Sequence, residues 1–370
     1  MALTPSEKKR KRREAINYKQ KIQAQRDWSN YQYQITDLID KDNLRSSKVA
    51  VGIAAATRPE YLERTLKSIS ANPEILKWPF FAFLDAHPDS RQGHITAEQE
   101  NMFHEYLPDC VVVRRPVNFG CGRSIIDLRR QLFDVLGYDR VFVVEDDCLI
   151  SQNYFSYCMN LMDWAEENYS DVGTVQGHSY CVMGSADKTK HLDKVSVTST
   201  NWWAYLQSRK CWDSIKDLLY KFEDYYLTAV NYMHRPHAAI RDWFLSLCHD
   251  GFPTLGDSPV SVGKDEEFKQ SQYLQSPPTG QDGATTVACA VKGWKRLAPV
   301  VNRSLYIGRK GIHQSPSQFS ADGFDRIRMD NYDDDSDRKD FELFTGTYSD
   351  LITDTDEGLS GLEGITLIKN

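Results

Sequence analysis

The chain has 370 residues, 41% of them apolar, with 8 Trp, 19 Tyr and 16 Phe, enough for a real core in one large domain or two modest ones. No stretch reaches the roughly 20 apolar residues that span a bilayer, and the first residues are charged rather than signal-like. The net charge of −7 hides an asymmetry: residues 1–26 carry nine Lys/Arg against Glu7 and Glu14, a balance of +7, while residues 321–357 carry thirteen Asp/Glu against four Lys/Arg, a balance of −9. The eight cysteines are scattered with no C-x-x-C pair, which argues against a zinc knuckle and for reduced thiols in a cytosol rather than a secreted disulfide framework.

Taken in chain order, "SEKKRKRREAINYKQKIQAQRDW" predicts a helix, rich in good formers and free of Gly and Pro inside, but with too few apolar positions to pack; residues 1–45 read as a projecting basic arm. From Lys48 the pattern alternates. "KVAVGIAA" (48–55), "FFAFLDA" (80–86), "CVVVRR" (110–115), "RVFVVEDD" (140–147) and "DVGTVQG" (171–177) read as strands. Between them "PEYLERTLKSI", with Pro59 in its first turn, "RSIIDLRRQLFDVLG" (123–137) and "NYFSYCMNLMDWAEENY" (153–169) read as helices. Such alternation predicts an α/β fold with a mostly parallel, Rossmann-like sheet covered by helices on both faces, in which ligands bind beyond the carboxyl ends of the strands. Residues 46–180 read as a regular α/β half and 181–320 as a less regular second half of the same domain. The acidic stretch 321–370 reads as a loosely attached extension.

The most informative stretch is "VFVVEDDCLI" (141–150), an apolar strand that ends in Glu145, Asp146 and Asp147. Three adjacent carboxylates without a counter-charge are costly, and hard cations such as Mn²⁺ and Mg²⁺ take one or two carboxylates while leaving room for substrate phosphates. The alternative is that these residues merely cap the next turn. "VGIAAATRPEYL" lacks G-x-G-x-x-G, which excludes a dinucleotide dehydrogenase; no G-x-x-x-x-G-K-[ST] occurs, which excludes a P-loop; and the Gly-rich basic loop of a sugar nucleotidylyltransferase is missing.

In order and spacing, "VGIAAATRPEYLERTLKSI", "FLDA", "NFGCGRSIIDLRRQLF" and "VFVVEDDCLISQNYF" resemble the nucleotide-binding half of GT-A-fold glycosyltransferases, above all the N-acetylglucosaminyltransferase I type, over roughly residues 48–320. The resemblance implies that Ala56, Thr57 and Arg58 border a UDP-sugar, that Asp85 accepts a hydrogen bond from uracil, and that Arg123 lies near the base or diphosphate. It implies further that Asp146 approaches the ribose or a water on the metal, and that Asp147 ligates Mn²⁺ (or Mg²⁺). For Arg58 and Arg123 an ordinary salt bridge is the competing reading, and for Asp85 a strand-end turn.

"SPPTGQDGATTVACAVKGWKRLAPVV" resembles the segment that sets an acidic residue beneath the acceptor, which makes Asp282 the candidate general base of an inverting transfer; the aromatic neighbour expected there is Gly283. The competing role for Asp282 is helix N-cap, and Glu266 and Glu267 are fallback bases. His313 stands where many such enzymes keep a histidine on the metal, and Trp203, with Trp202, is a candidate wall of the sugar pocket.

The acceptor is less legible. Lys8, Lys9, Arg10, Lys11, Arg12 and Arg13 form a run that can neutralise phosphates, which with a cytosolic setting (bacterial, or a phage-infected host) suggests DNA bearing a hydroxymethylated base. The run also suits a solvated arm or an anionic membrane surface. Other acceptors are a glycan, a protein or a small molecule. A metal-dependent nuclease is the alternative from another class, and a catalytically inactive sugar or nucleotide binder a third.

Overall fold

The structure, a computed structural model, describes residues 35, 47–179, 188–198, 202–228, 232–248, 260, 278–311, 314–327, 329 and 338–345. The basic run Lys8–Arg13, Glu266, Glu267, His313 and most of 321–370 lie outside the described residues.

The first half alternates as its apolar pattern requires. Strand β1 (Val49–Ala55) leads to helix α1 (Pro59–Ser70), β2 (Phe80–Leu84) to α2 (Gly93–Tyr106), and β3 (Val111–Arg114) to α3 (Gly120–Arg130). A π-turn at Gln131–Val135 then leads to β4 (Arg140–Glu145). β1 pairs in parallel with β2 and β4, and β2 in parallel with β3. The chain therefore winds outward from β1 through β2 to β3 and then returns to β1's other side for β4. That reversal makes the carboxyl ends of β1 and β4 the switch point where such sheets open a ligand crevice.

Helix α4 (Tyr154–Asn168) and β6 (Val172–Gln176) follow a short strand β5 (Cys148–Ile150). The second half is more regular than the sequence suggests. It supplies β7 (Lys194–Val197), β8 (Tyr205–Ser208), helices α5 (Arg209–Tyr226), α6 (His237–Leu247) and α7 (Gln281–Val291), then β9 (Lys295–Pro299), β10 (Ser304–Tyr306) and α8 (Pro316–Ala321). With β11 (Glu342–Leu343) these strands complete one nine-stranded sheet, ordered β11-β7-β9-β6-β8-β4-β1-β2-β3; β10 and β5 pair apart from it.

Helices cover both faces. Leu62, Leu66, Phe103, Phe155 and Leu161 pack on one, and Ile126, Leu128, Trp212, Leu219 and Val287 on the other. The α/β, mostly parallel architecture expected from the sequence is thus observed. The acidic extension is not simply loose among its described residues: β11 joins β7 in parallel, and buried Phe341 meets Tyr157 edge to face at 5.5 Å. Its charge count concealed Phe324 and Phe341, whose burial ties the backbone down.

Helix α3 packs closely on the sheet at Gly52. A Cβ there would lie 2.6 Å from Leu128 Cδ2 and 2.8 Å from Leu132 Cδ1. Gly52→Val is expected to destabilise the fold by about 1–3 kcal/mol through overpacking, read as a lower urea midpoint. An unchanged midpoint would mean that α3 yields freely.

Candidate functional site

Residues from four elements meet at the switch point. Register places Ala54 opposite Glu145, and just beyond the strand ends the Ala56 N–H donates to Asp146 Oδ2 at 3.2 Å. Pro59 starts α1 immediately after this turn, so Arg58, its N-cap residue, is swung back over the strand ends. One guanidinium nitrogen donates to Asp146 and the other lies 2.6 Å from Asp147 Oδ2. Thr65 of α1 bonds the Asp146 carbonyl at 2.9 Å.

Asp146 and Asp147 are each 3% exposed. Burial pushes both carboxyls up, Asp146 to about 6, while Arg58 pulls in the opposite direction. Glu145 is pushed well above the usual range by burial, then by the charges of Asp282, Asp147 and Asp146. This all-oxygen cluster, overcharged and buried, fits a hard divalent cation, and Arg58 supplies only a single positive charge to it. Among the described residues no group of three or more His, Cys, Asp and Glu is placed to hold a metal ion by itself. An ion that completes its shell with phosphate oxygens needs none.

The strand pair β5–β10 carries a second wall. Tyr306 pairs with Cys148, the Ile307 N–H donates to the Asp147 carbonyl at 2.9 Å, and the Lys310 N–H donates to Tyr61 Oη at 3.0 Å. His313 itself is outside the described residues, but Gly311, two positions before it, lies beside the Arg58 guanidinium.

Asp85 is 1% exposed and accepts from the N–H groups of Phe119 at 2.7 Å and Gly120 at 2.9 Å and from Asn118 Nδ2 at 3.1 Å. It therefore ties "NFG" to the end of β2, the strand-end turn that competed with base recognition. Arg123 is buried and paired: its Nε lies 3.2 Å from Glu223 and its guanidinium 3.8 Å above the Phe119 ring. The salt-bridge reading describes Arg123, and describes Arg58 in part. Trp203 stacks on Tyr306 at 4.2 Å and packs against Phe324, while Trp202 is buried with its Nε1 donating to Thr286.

Asp282 is close enough for its charge to act on Glu145. It sits in the first turn of α7; Gly280 is the N-cap and no side chain caps that helix, so the capping role considered for Asp282 does not hold. Gln281 donates to it. Burial raises its carboxyl to about 6, opposed by Arg296 and Arg129. An aromatic at position 283 is impossible here, because a Cβ on Gly283 would run into the Pro278 carbonyl.

Sequence reasoning gave no role to Glu145, Cys121, Tyr306 or Tyr232. Cys121 is exposed at the head of α3, within charge range of Glu145 and Asp282. Only Glu145 carried a sequence signal, its place in the carboxylate run.

No protein-family model matches the chain. Over 142 residues it is 28% identical to an alpha-1,3-mannosyl-glycoprotein 2-beta-N-acetylglucosaminyltransferase from Arabidopsis thaliana, a stretch that covers 34% of this chain and 32% of that one. The chain thus matches about a third of the curated relative's length. Among solved structures, S. aureus TarS aligns with a TM-score of 0.37 at 14% identity, covering 62% of this chain and 43% of that one. A mannosyltransferase from Pyrobaculum calidifontis, crystallised with GDP-Man and Mn²⁺, aligns with a TM-score of 0.32 at 12% identity, covering 75% of this chain and 85% of that one. The resemblance to the N-acetylglucosaminyltransferase I type read from the motifs is met, over that 142-residue stretch, by a curated enzyme of that type.

Proposed function

We propose that this chain moves a sugar from a UDP-sugar to an acceptor hydroxyl, with a divalent cation and with inversion at the anomeric carbon. The observation that carries this reading is the opposition across the switch-point cleft: Arg58, Asp146 and Asp147 on one side, and Asp282 within charge range of Glu145 on the other. The relative's name, which specifies N-acetylglucosamine transfer, supports a hexosamine-type donor.

In this reading Ala56, Thr57 and the loop that Asp85 holds border the nucleotide, and Arg58 turns from its carboxylates toward the phosphates. Asp147, with Asp146 beside it and His313 as a further donor, would hold Mn²⁺ or Mg²⁺, which supplies charge neutralisation of the departing diphosphate. Asp282 takes the acceptor's hydroxyl proton as that oxygen bonds to the anomeric carbon. The bond to UDP breaks, and its electron pair leaves on the diphosphate.

Calorimetric titration of UDP, GDP and CDP with Mn²⁺, repeated in EDTA, tests the donor half. Metal-dependent preference for UDP supports the reading; binding of none of them under either condition would remove it and favour the nuclease alternative, checked by phosphodiester cleavage.

For the acceptor we propose a hydroxymethylated base in DNA, in a cytosolic setting, supported by the run Lys8–Arg13. No helix among the described residues is long and apolar enough to cross a membrane. Deleting residues 1–26 is expected to weaken DNA binding at low salt and to flatten the salt dependence by about 0.9 for each phosphate that the arm no longer neutralises. Unchanged affinity would leave the arm without a part in acceptor binding and favour a glycan, protein or small-molecule hydroxyl.

A further inference from the structure

Tyr232 lies outside every motif that suggested a function, in the single turn Tyr232–His234. Three glycines from two separate elements make its seat. A Cβ on Gly120 would fall 2.7 Å from Tyr232 Cβ, one on Gly122 2.7 Å from its Cε2, and one on Gly280 2.9 Å from its hydroxyl oxygen. Carbon atoms in contact sit roughly 3.5–4 Å apart, so the ring fits only because all three side chains are missing. Gly120 also has φ 73°, a backbone state that glycine adopts freely.

The direction of the ring is as informative as its seat. It starts at the head of α3, on the loop that Asp85 holds, and its hydroxyl ends at Gly280, the N-cap of α7 and two positions before Asp282. Arg235 fixes this pose. Its guanidinium stacks 4.2 Å over the ring, its Nε donates to the Thr279 carbonyl at 2.9 Å, and its Nη1 donates to the Tyr232 carbonyl at 2.9 Å. His237 adds a 2.5 Å bond to Thr279 Oγ1. The turn is thereby tied to the residues that begin α7.

The groups whose charge reaches the phenol are Cys121, Asp282 and Glu145 from the cleft and Arg235 from behind. Burial, then Cys121, pushes the phenol up, which keeps it a hydrogen-bond donor throughout the neutral range. An aromatic ring whose donor hydroxyl ends at Gly280, in charge range of Asp282 and Glu145, suits a neutral, hydroxyl-rich ring: apolar C–H edges can lie on the aromatic face while O–H groups find polar partners.

We infer, resting on the function proposed above, that Tyr232 determines specificity for the transferred sugar, spanning the interval between the nucleotide's loop and the base Asp282 and contacting the pyranose of the donor. A site that hydrogen-bonds a sugar hydroxyl discriminates against a donor that lacks or misplaces it.

The test is calorimetry in Mn²⁺ with UDP, UDP-GlcNAc, UDP-glucose and UDP-galactose on wild type, Tyr232→Phe, Tyr232→Ala and Gly122→Ala. Wild type is expected to separate the three sugars. Tyr232→Phe should narrow that spread about three- to tenfold by loss of one hydrogen bond, and Tyr232→Ala should narrow it further. Affinity for UDP alone should stay within about twofold in each variant, since that difference is under roughly half a kcal/mol. Gly122→Ala keeps the tyrosine but puts a methyl group where the ring edge lies, and should reproduce the loss even if Tyr232→Ala folds poorly. A spread of sugar affinities that survives in Tyr232→Phe and Gly122→Ala would overturn the inference, as would a wild type that binds UDP but treats the sugars alike. Wild type that binds no UDP would remove the underlying function first, and the inference with it.

Discussion

Asp282→Asn is expected to slow sugar transfer by about 10²- to 10⁴-fold, the range general-base catalysis supplies, while the affinity for UDP hardly changes. The carboxyl can accept the acceptor's proton only when ionised. Burial raises it to about 6 against the pull of Arg296 and Arg129, so below that pH most molecules carry a protonated, inactive Asp282. In wild type, kcat/KM should therefore climb about tenfold per pH unit below pH 6 and level off above it, and Asp282→Asn should lose that limb. The charged groups in range that can move the limb are Arg296 and Arg129, which oppose the rise, and Glu145 and Cys121, which feel the charge of Asp282. A fully active Asp282→Asn would transfer the base's role to another acid, with Glu145, Glu266 and Glu267 next in line.

Asp147→Ala carries the second large effect. The Mn²⁺-dependent part of UDP affinity should fall by at least about 100-fold, since even groups that only orient a metal ligand are worth 10- to 100-fold. The affinity that remains should equal that of wild type in EDTA, because Arg58 keeps Asp146 as a partner and still offers a cation to the phosphates. Calorimetry on both proteins in Mn²⁺ and in EDTA reads this directly. An Asp147→Ala protein that binds UDP as wild type does, still with metal dependence, would place the ion elsewhere.

The fold was largely legible because its signals are local. Apolar runs such as Val49–Ala55 and Phe80–Leu84 must be buried on both faces, and the helices between them place Leu62, Leu66 and Leu128 on one side each. The second half was harder to read. Strands such as Tyr205–Ser208 are four residues long, and their place beside β4 depends on residues far away in sequence.

The candidate site divides along the same line. Composition and spacing along the chain are enough to place a β-strand ending in Glu145, Asp146 and Asp147, Arg58 after the first strand just before Pro59, and Asp282 at the opening of a helix. Which of them meet depends on how the strands and helices pack. The parallel pairing of β1 with β4 brings Arg58 onto Asp146 and Asp147, while α7 brings Asp282 toward Glu145. The same packing turned Arg123 to Glu223 and seated Tyr232 on Gly120, Gly122 and Gly280. The physical reason is that charge pairing and close packing act over a few ångströms in space, between residues up to about 160 positions apart in the chain, where no local pattern records them.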